Sequence, residues 1–418
     1  MKMAPQRSTM LKKSFYIFLL TSFLFNIEDV QARDTRKVSE PVTPKACTTL
    51  QADNKDSTSR IQSALKSCGS GKGVLLSASG GSNTFYSGPL TIPSGVSLII
   101  GANTYLKALT NPASFDKGDN TCGTLDSSGK GCNPLILMKK VTNSGIYGPG
   151  TIDGQGGSEM TGKGKTWWEL ATEAKDKDKK QNNPRLIEID NSKDVVLYKI
   201  VIKNSPNFHV VIEKSDGLTA WGITIDTPST ARNTDGFDPA GSKNILLTNS
   251  QISTGDDNVA IKGGSAASSS ISILNNTFGV GHGMSIGSET TSGVSDVTVE
   301  NLNLKGTTNG LRIKSDSSRG GKVTNIVYNM VCMEDVKNPI VVDTKYSSST
   351  GSHIPDFQGI TFKTINVKDK GKFVFNGYSD SHPIKATLEN FHIKKGSTWT
   401  ASHAQISGSA LEDSTGVC

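Results

Sequence analysis

The sequence predicts an all-β chain wound as a parallel β-helix, and three observations carry that prediction. First, segments within 233–314 can be laid over one another. Asp257-Asn258-Val259-Ala260-Ile261-Lys262, His282-Gly283-Met284-Ser285-Ile286-Gly287 and Asn309-Gly310-Leu311-Arg312-Ile313-Lys314 share one pattern, and Asp235-Gly236-Phe237-Asp238-Pro239 begins the same way. A period of 20–30 residues is the mark of a repeat architecture. Second, apolar residues inside each segment alternate, which fits strands and not helices. Third, 43 of 418 residues are glycine and only 34% are hydrophobic, which suits a turn-rich solenoid. The length allows two average domains. No linker divides the chain, so 33–418 is expected to form one β-helical domain.

The elements follow in order. Lys12-Lys13, the apolar run 15–25 and Val30-Gln31-Ala32 read as a secretory signal peptide over 1–32. Its apolar core is too short for a membrane span, so the product is expected to be secreted, extracellular and free of membrane. Residues 33–56 read as an extended leader. Ile61, Ala64 and Leu65 lie at helical spacing and predict a short helix that closes the N-terminal end of the solenoid. First strands are expected within 73–112, a polar loop over 113–131, a turn-rich coil over 145–157 and a partly helical excursion over 158–183. Regular coils begin near Leu186, with strand cores at 195–201, 218–225, 244–247, 270–274, 296–299, 325–328 and 359–362. Asn249, Asn275, Asn301 and Asn329 read as a ladder of turn residues, because Asn tolerates the left-handed backbone. Beyond about residue 385 the repeat blurs, and 407–418 reads as loosely ordered.

Formal charge is +7, and removing the four basic and two acidic groups of 1–32 leaves +5. The charge is spread without an arginine-rich block, so no nucleic-acid partner is expected. A mild positive balance favours a polyanion. Six cysteines in an exported chain permit disulfides. Cys122 with Cys132, and Cys47 with Cys68, form plausible local pairs, while Cys332 reads as a buried free thiol. No spacing suggests a metal site, and no cofactor is expected.

Chemistry gathers where the repeats align. Asp235, Asp257 and His282 fall in one column, 22 and 25 residues apart, with Asp256 one position earlier. Equivalent residues on adjacent turns lie about 4.8 Å apart, so this column becomes a line in space. Val259, Ile261, Met284, Ile286, Leu311 and Ile313 point inward; Arg312 and Lys314 take the outward parity. One Asp pair at a strand end is ordinary surface, but recurrence in register argues for a site. Carboxylates this close repel, and at least one should hold its proton unusually tightly. Arg312 and Lys314 would either neutralise the acids or grip an anionic substrate. His209, near the same register, reads as structural. Two carboxyl groups beside a cleft are what glycoside hydrolysis requires, and neighbouring cations suit a sugar acid.

Asn233-Thr234-Asp235, Gly255-Asp256-Asp257, Gly281-His282-Gly283 and Arg312-Ile313-Lys314 together resemble the four motifs of the polygalacturonase family of glycoside hydrolases, and most closely its secreted bacterial endo-acting members. The resemblance extends to residues 148–156, 204–209 and 228–235. It implies a right-handed parallel β-helix and hydrolysis, with inversion, of α-1,4 links between the galacturonates of pectin. Carried over, Asp256 is the general acid, and Asp235 and Asp257 hold and activate water. His282 tunes the acid, Arg312 and Lys314 bind a substrate carboxylate, Asn233 supports the cleft, and Tyr346 contacts sugar. The enzyme is expected to work as a monomer. One tension remains: coil spacing puts Asp235 and Asp257 near 5 Å, whereas inverting pairs usually stand roughly 6.5–9.5 Å apart. Rival readings are an exo-acting polygalacturonase, a calcium-dependent pectate lyase using the clustered aspartates, a non-catalytic polysaccharide-binding β-helix, and a hydrolase of rhamnogalacturonan.

Overall fold

Alternating Val, Ile and Leu between Asn- and Gly-rich corners builds a stack of coils in the computed structural model, which describes residues 34–126, 128–413 and 416. The expected signal peptide lies outside these residues. In mid-chain one coil holds three strands, for example Phe237–Ala240, Lys243–Thr248 and Gln251–Ser253, before Val259–Ile261 opens the next. Further on, the second and third strands fuse into long bent ones, Ser268–Phe278, Val294–Lys305, Lys322–Glu334 and Asp356–Val367. Ladders are parallel, and the first strand of each coil joins an 11-stranded sheet running along the stack. Every expected strand core falls on a strand, with short breaks at 199–200 and 222–223.

Inward residues stack in file. Val210, Phe237, Val259, Met284, Leu311, Ile340 and Phe373 pair rung by rung along the 11-stranded sheet and are all buried. Each such side chain contributes roughly 1.5–3 kcal/mol by leaving water. The file fixes register, because a slip of one residue would turn it to solvent.

The N-terminal end is closed as expected. Helix Thr58–Ser67 buries Ile61 and Leu65 against the core. Ser57 makes no capping bond; the Asp56 carboxylate instead accepts from the Thr58 N–H at 2.9 Å. Cys47–Cys68 ties strand Ala46–Gln51 to the helix end, and Cys122–Cys132 closes the polar loop. The excursion holds helix Trp167–Asp176, begun by a capping box between Thr166 and Glu169. Among the described residues no helix is long and apolar enough to cross a membrane.

The extended leader contains strand Ala46–Gln51, which pairs with strand Lys72–Ser77. Three expectations need correction. Cys332 is disulfide-bonded and not a free thiol. Residues 407–411, expected to be loosely ordered, belong to strand Ala404–Leu411; with Ile384–His392 and Thr398–Ser402 it continues both sheets where the sequence repeat blurs, although the last two strands lie largely exposed. The Asn ladder holds for Asn249, Asn275 and Asn301, all left-handed, with the Asn301 amide donating to Asn275 at 2.9 Å. Asn329 is not its next rung. The register pairs Glu300 with Asn329, so the left-handed position falls on Met330, at φ 50°.

Candidate active site

Three motifs form corners that lead into strands of the 11-stranded sheet, and the fourth lies within such a strand. Asp235 precedes Phe237–Ala240, Asp256 and Asp257 precede Val259–Ile261, His282 precedes Met284–Gly287, and Arg312 and Lys314 lie within Asn309–Lys314. Phe237 pairs with Val259 and Val259 with Met284, so Asp235, Asp257 and His282 share one rung position as the sequence implied. Buried polar bonds lock the corners. Thr234 Oγ1 donates to the Ala231 carbonyl at 2.7 Å and accepts from the Gly255 N–H at 3.0 Å. Asn258 donates to the Ile252 carbonyl and accepts from the Gly283 N–H. Gly255 is required by proximity: a Cβ there would meet the Ala231 carbonyl at 1.9 Å. Gly255→Ala should therefore destabilise by about 1–3 kcal/mol and lower activity by displacing Asp256. Denaturant unfolding and turnover check both.

A cleft of about 280 Å³ opens over these corners, lined by Asn233, Asp235, Asp256, Asp257, His282, Lys314 and Tyr346, with Phe208, Arg232, Lys262 and Glu289 among the rest. Asp257 lies at its floor, 1% exposed. Lys314 Nζ donates to its Oδ2 at 2.8 Å. The Arg312 guanidinium and, at 2.9 Å, the Ser285 hydroxyl donate to Oδ1. Burial would lift this carboxyl, but Lys314 and Arg312 overcome it and hold it down at about 2. Asp257 is thus an anion across the neutral and mildly acidic range. Asp256 is the more accessible acid, with its Oδ1 3.0 Å from His282 Nδ1. Asn233 sits left-handed and accepts from Gln181 at 3.1 Å. Tyr346 is exposed, with Lys314 Nζ 5.1 Å from its ring centre.

Arg312 does not line the cleft. It lies behind Asp257, 8% exposed, with Nε 3.0 Å from Ser285 Oγ. In the resting site the neutralising alternative for Arg312 and Lys314 therefore has the observed contacts. His209 is fully buried between the Asp235 carbonyl and the Thr227 hydroxyl, and burial lowers it to about 4, so it stays neutral and holds the corner.

Sequence reasoning missed Asp238 and Lys262. Lys262 Nζ lies 2.7 Å from Asp238 Oδ2 and 3.6 Å from Asp235 Oδ2, under the Phe208 ring. Burial is the main cause that raises Asp235 well above an ordinary carboxyl, with Asp238 adding to it. Asp238, also buried, is raised to about 6 despite Lys262. The unusually retained proton expected of the cluster thus belongs to this pair and not to Asp257. Linkage gives opposite signs. Asp257, depressed, contributes stability above about pH 4 that is lost as pH falls through about 2. Asp238, raised, contributes stability below about pH 4 that is lost as pH rises through about 6. A stability-pH curve should show both limbs, and Asp238→Asn should flatten only the upper one.

Asp256, Asp257 and His282 each offer an atom within 4.8 Å of the others, a spacing that a metal ion fits. The donor set suits a divalent cation poorly: both Asp257 oxygens already accept from fixed cations, which would repel it.

Stacked coils presenting acids and a shielded carboxylate in one groove define a β-helical hydrolase class. A profile of glycosyl hydrolases family 28 matches residues 86–413. The chain is 54% identical over 377 residues to an endo-polygalacturonase of Pectobacterium parmentieri, covering 90% of this chain and 93% of that one. It superposes on the polygalacturonase of Erwinia carotovora ssp. carotovora with TM-score 0.88 and 53% identity, covering 90% of this chain and all of that one. An exopolygalacturonase from Thermotoga maritima shares the fold at TM-score 0.71 and 21% identity, over 90% of this chain and 95% of that one. The chain belongs to glycosyl hydrolases family 28 and is a glycoside hydrolase.

Proposed function

We propose that this enzyme hydrolyses internal α-1,4-galacturonosidic bonds of polygalacturonate, with inversion and without a cofactor. One observation carries the reading: Asp235, Asp256 and Asp257 converge with His282, Lys314 and Tyr346 on a single cleft. Asp256, the accessible acid, protonates the leaving oxygen, and its contact with His282 orients that proton. Asp235 and Asp257 hold the attacking water; Asp257, held ionised, orients it, and Asp235 takes its proton. Lys314 receives a substrate carboxylate beside Asp257, with Arg312 behind Asp257 supporting the charge, and Tyr346 offers a ring face to sugar. Asn233 braces one wall. We further propose that the chain is exported with loss of residues 1–32 and works as a monomer on pectin.

Product sizing on polygalacturonate over time tests the internal mode. Mid-length oligomers should dominate early; release of mono- or digalacturonate alone from the start would show end attack. An unsaturated, ultraviolet-absorbing product would point to a lyase, and binding without new reducing ends to a non-catalytic role.

A further inference from the structure

The cleft holds more positive charge than the four motifs account for, and most of it is already committed. Lys314 is bound to Asp257, and Lys262 to Asp238 beside Asp235. Arg312, tied to Asp257, does not reach the cleft lining. Arg232 differs. It lines the cleft and is half-buried, and among the described residues its side chain makes no ion pair and no hydrogen bond. Its Nε is buried without a partner. An arginine with a desolvated donor and no counter-ion is costly unless something supplies the acceptor.

Its corner is also rigid. Ala231 N–H donates to the Pro228 carbonyl at 3.0 Å, and the Ala231 carbonyl accepts from Thr234 Oγ1. Thr234 in turn is bonded to Gly255 of the next coil, and Asn233 is fixed by Gln181. The side chain therefore leaves a preorganised turn three residues before Asp235 and lines the same cleft.

We infer that Arg232 is a specificity residue that binds the carboxylate of a galacturonate unit next to the scissile bond. The planar fork accepts a carboxylate through paired N–H donors, and it stays charged at every working pH. The inference rests on the galacturonate reading above and assigns to Arg232 a contact that the resting site leaves empty. It makes Arg232 the cation whose engagement with substrate does not require releasing an internal carboxylate.

Calorimetric binding of trigalacturonate and of its methyl ester, to wild type and to Arg232→Gln, tests this. Steady-state kinetics on polygalacturonate, with Arg232→Lys included, form a second arm. The expected result is a loss of trigalacturonate affinity of about tenfold or more, little change for the ester, and a raised KM with a smaller change in kcat. Arg232→Lys should recover part of the loss, and unfolding midpoints should match wild type. Equal trigalacturonate affinity in wild type and Arg232→Gln overturns the inference, as does an equal loss for the ester. Absence of hydrolysis by wild type would instead refute the functional reading, while the binding arm still judges Arg232.

Discussion

Asp256→Asn should lower kcat on polygalacturonate by about 10²–10⁴ and leave KM nearly unchanged, because a general acid acts in the transition state and not in binding. The amide keeps the size of the side chain and a contact with His282 but has no proton of the required acidity. A sharper arm separates the acid from the base. α-Galacturonosyl fluoride has a leaving group that needs no proton, so Asp256→Asn should recover most of its activity on it. Asp235→Asn should not, since activation of water is still needed. The reverse pattern would make Asp235 the proton donor, a specific alternative because its buried carboxyl is the one raised well above the ordinary range. Loss on both substrates by both variants would mean that neither acts alone in its assigned role.

Lys262→Met should cost about 3–5 kcal/mol of stability at neutral pH, because it strands two buried carboxyl groups without their shared cation. Lys262 itself is held charged despite its burial by Asp238 and Asp235. The cost should shrink toward pH 4, where Asp238, raised to about 6, is already protonated. The same variant should move the acid limb of the pH-activity profile upward, since Lys262 is a cation that lowers Asp235. Urea unfolding at pH 7 and pH 4 measures the first effect. Equal stability of variant and wild type at pH 7 would show that the triad is not an electrostatic unit.

What the residues made legible, they did through register. Once Val259, Met284 and Leu311 are aligned as inward residues, the column of Asp235, Asp257 and His282 follows from strand geometry alone, and the pairing bears it out. The same alternation placed a signal on Asp238 and Lys262. Both take outward parity beside the acid column, and a charged residue on a sheet face next to three acids needs a partner. That signal is easily missed because each looks like a solvated surface charge, whereas Asp238 is buried and paired with Lys262. Burial also added to the picture of Arg312: outward parity left open whether it neutralises the acids or grips substrate, and in the resting fold it is buried and paired with Asp257.

Other misses came from changes in coil length. The step from Asn275 to Asn301 is 26 residues, but the next step is three longer and lands on Met330, so neither the recurrence of Asn nor a constant count finds that rung. The final strands, Thr398–Ser402 and Ala404–Leu411, carry little apolar alternation; each pairs on one side, and among the described residues no further strand pairs on the other. Cys332 sits among apolar neighbours in the sequence, which reads as a buried thiol, and spacing alone does not reveal that it is disulfide-bonded.

The central claim is that one acid and a pair of carboxylates on successive coils displace the leaving sugar with water from the opposite face. Proton NMR of the first product released from a galacturonate oligomer, followed before mutarotation, reads this directly. The account predicts that the new reducing end appears as the β-anomer. Accumulation of the α-anomer would mean that a carboxylate attacks the sugar, and the roles assigned to Asp235 and Asp257 would be wrong.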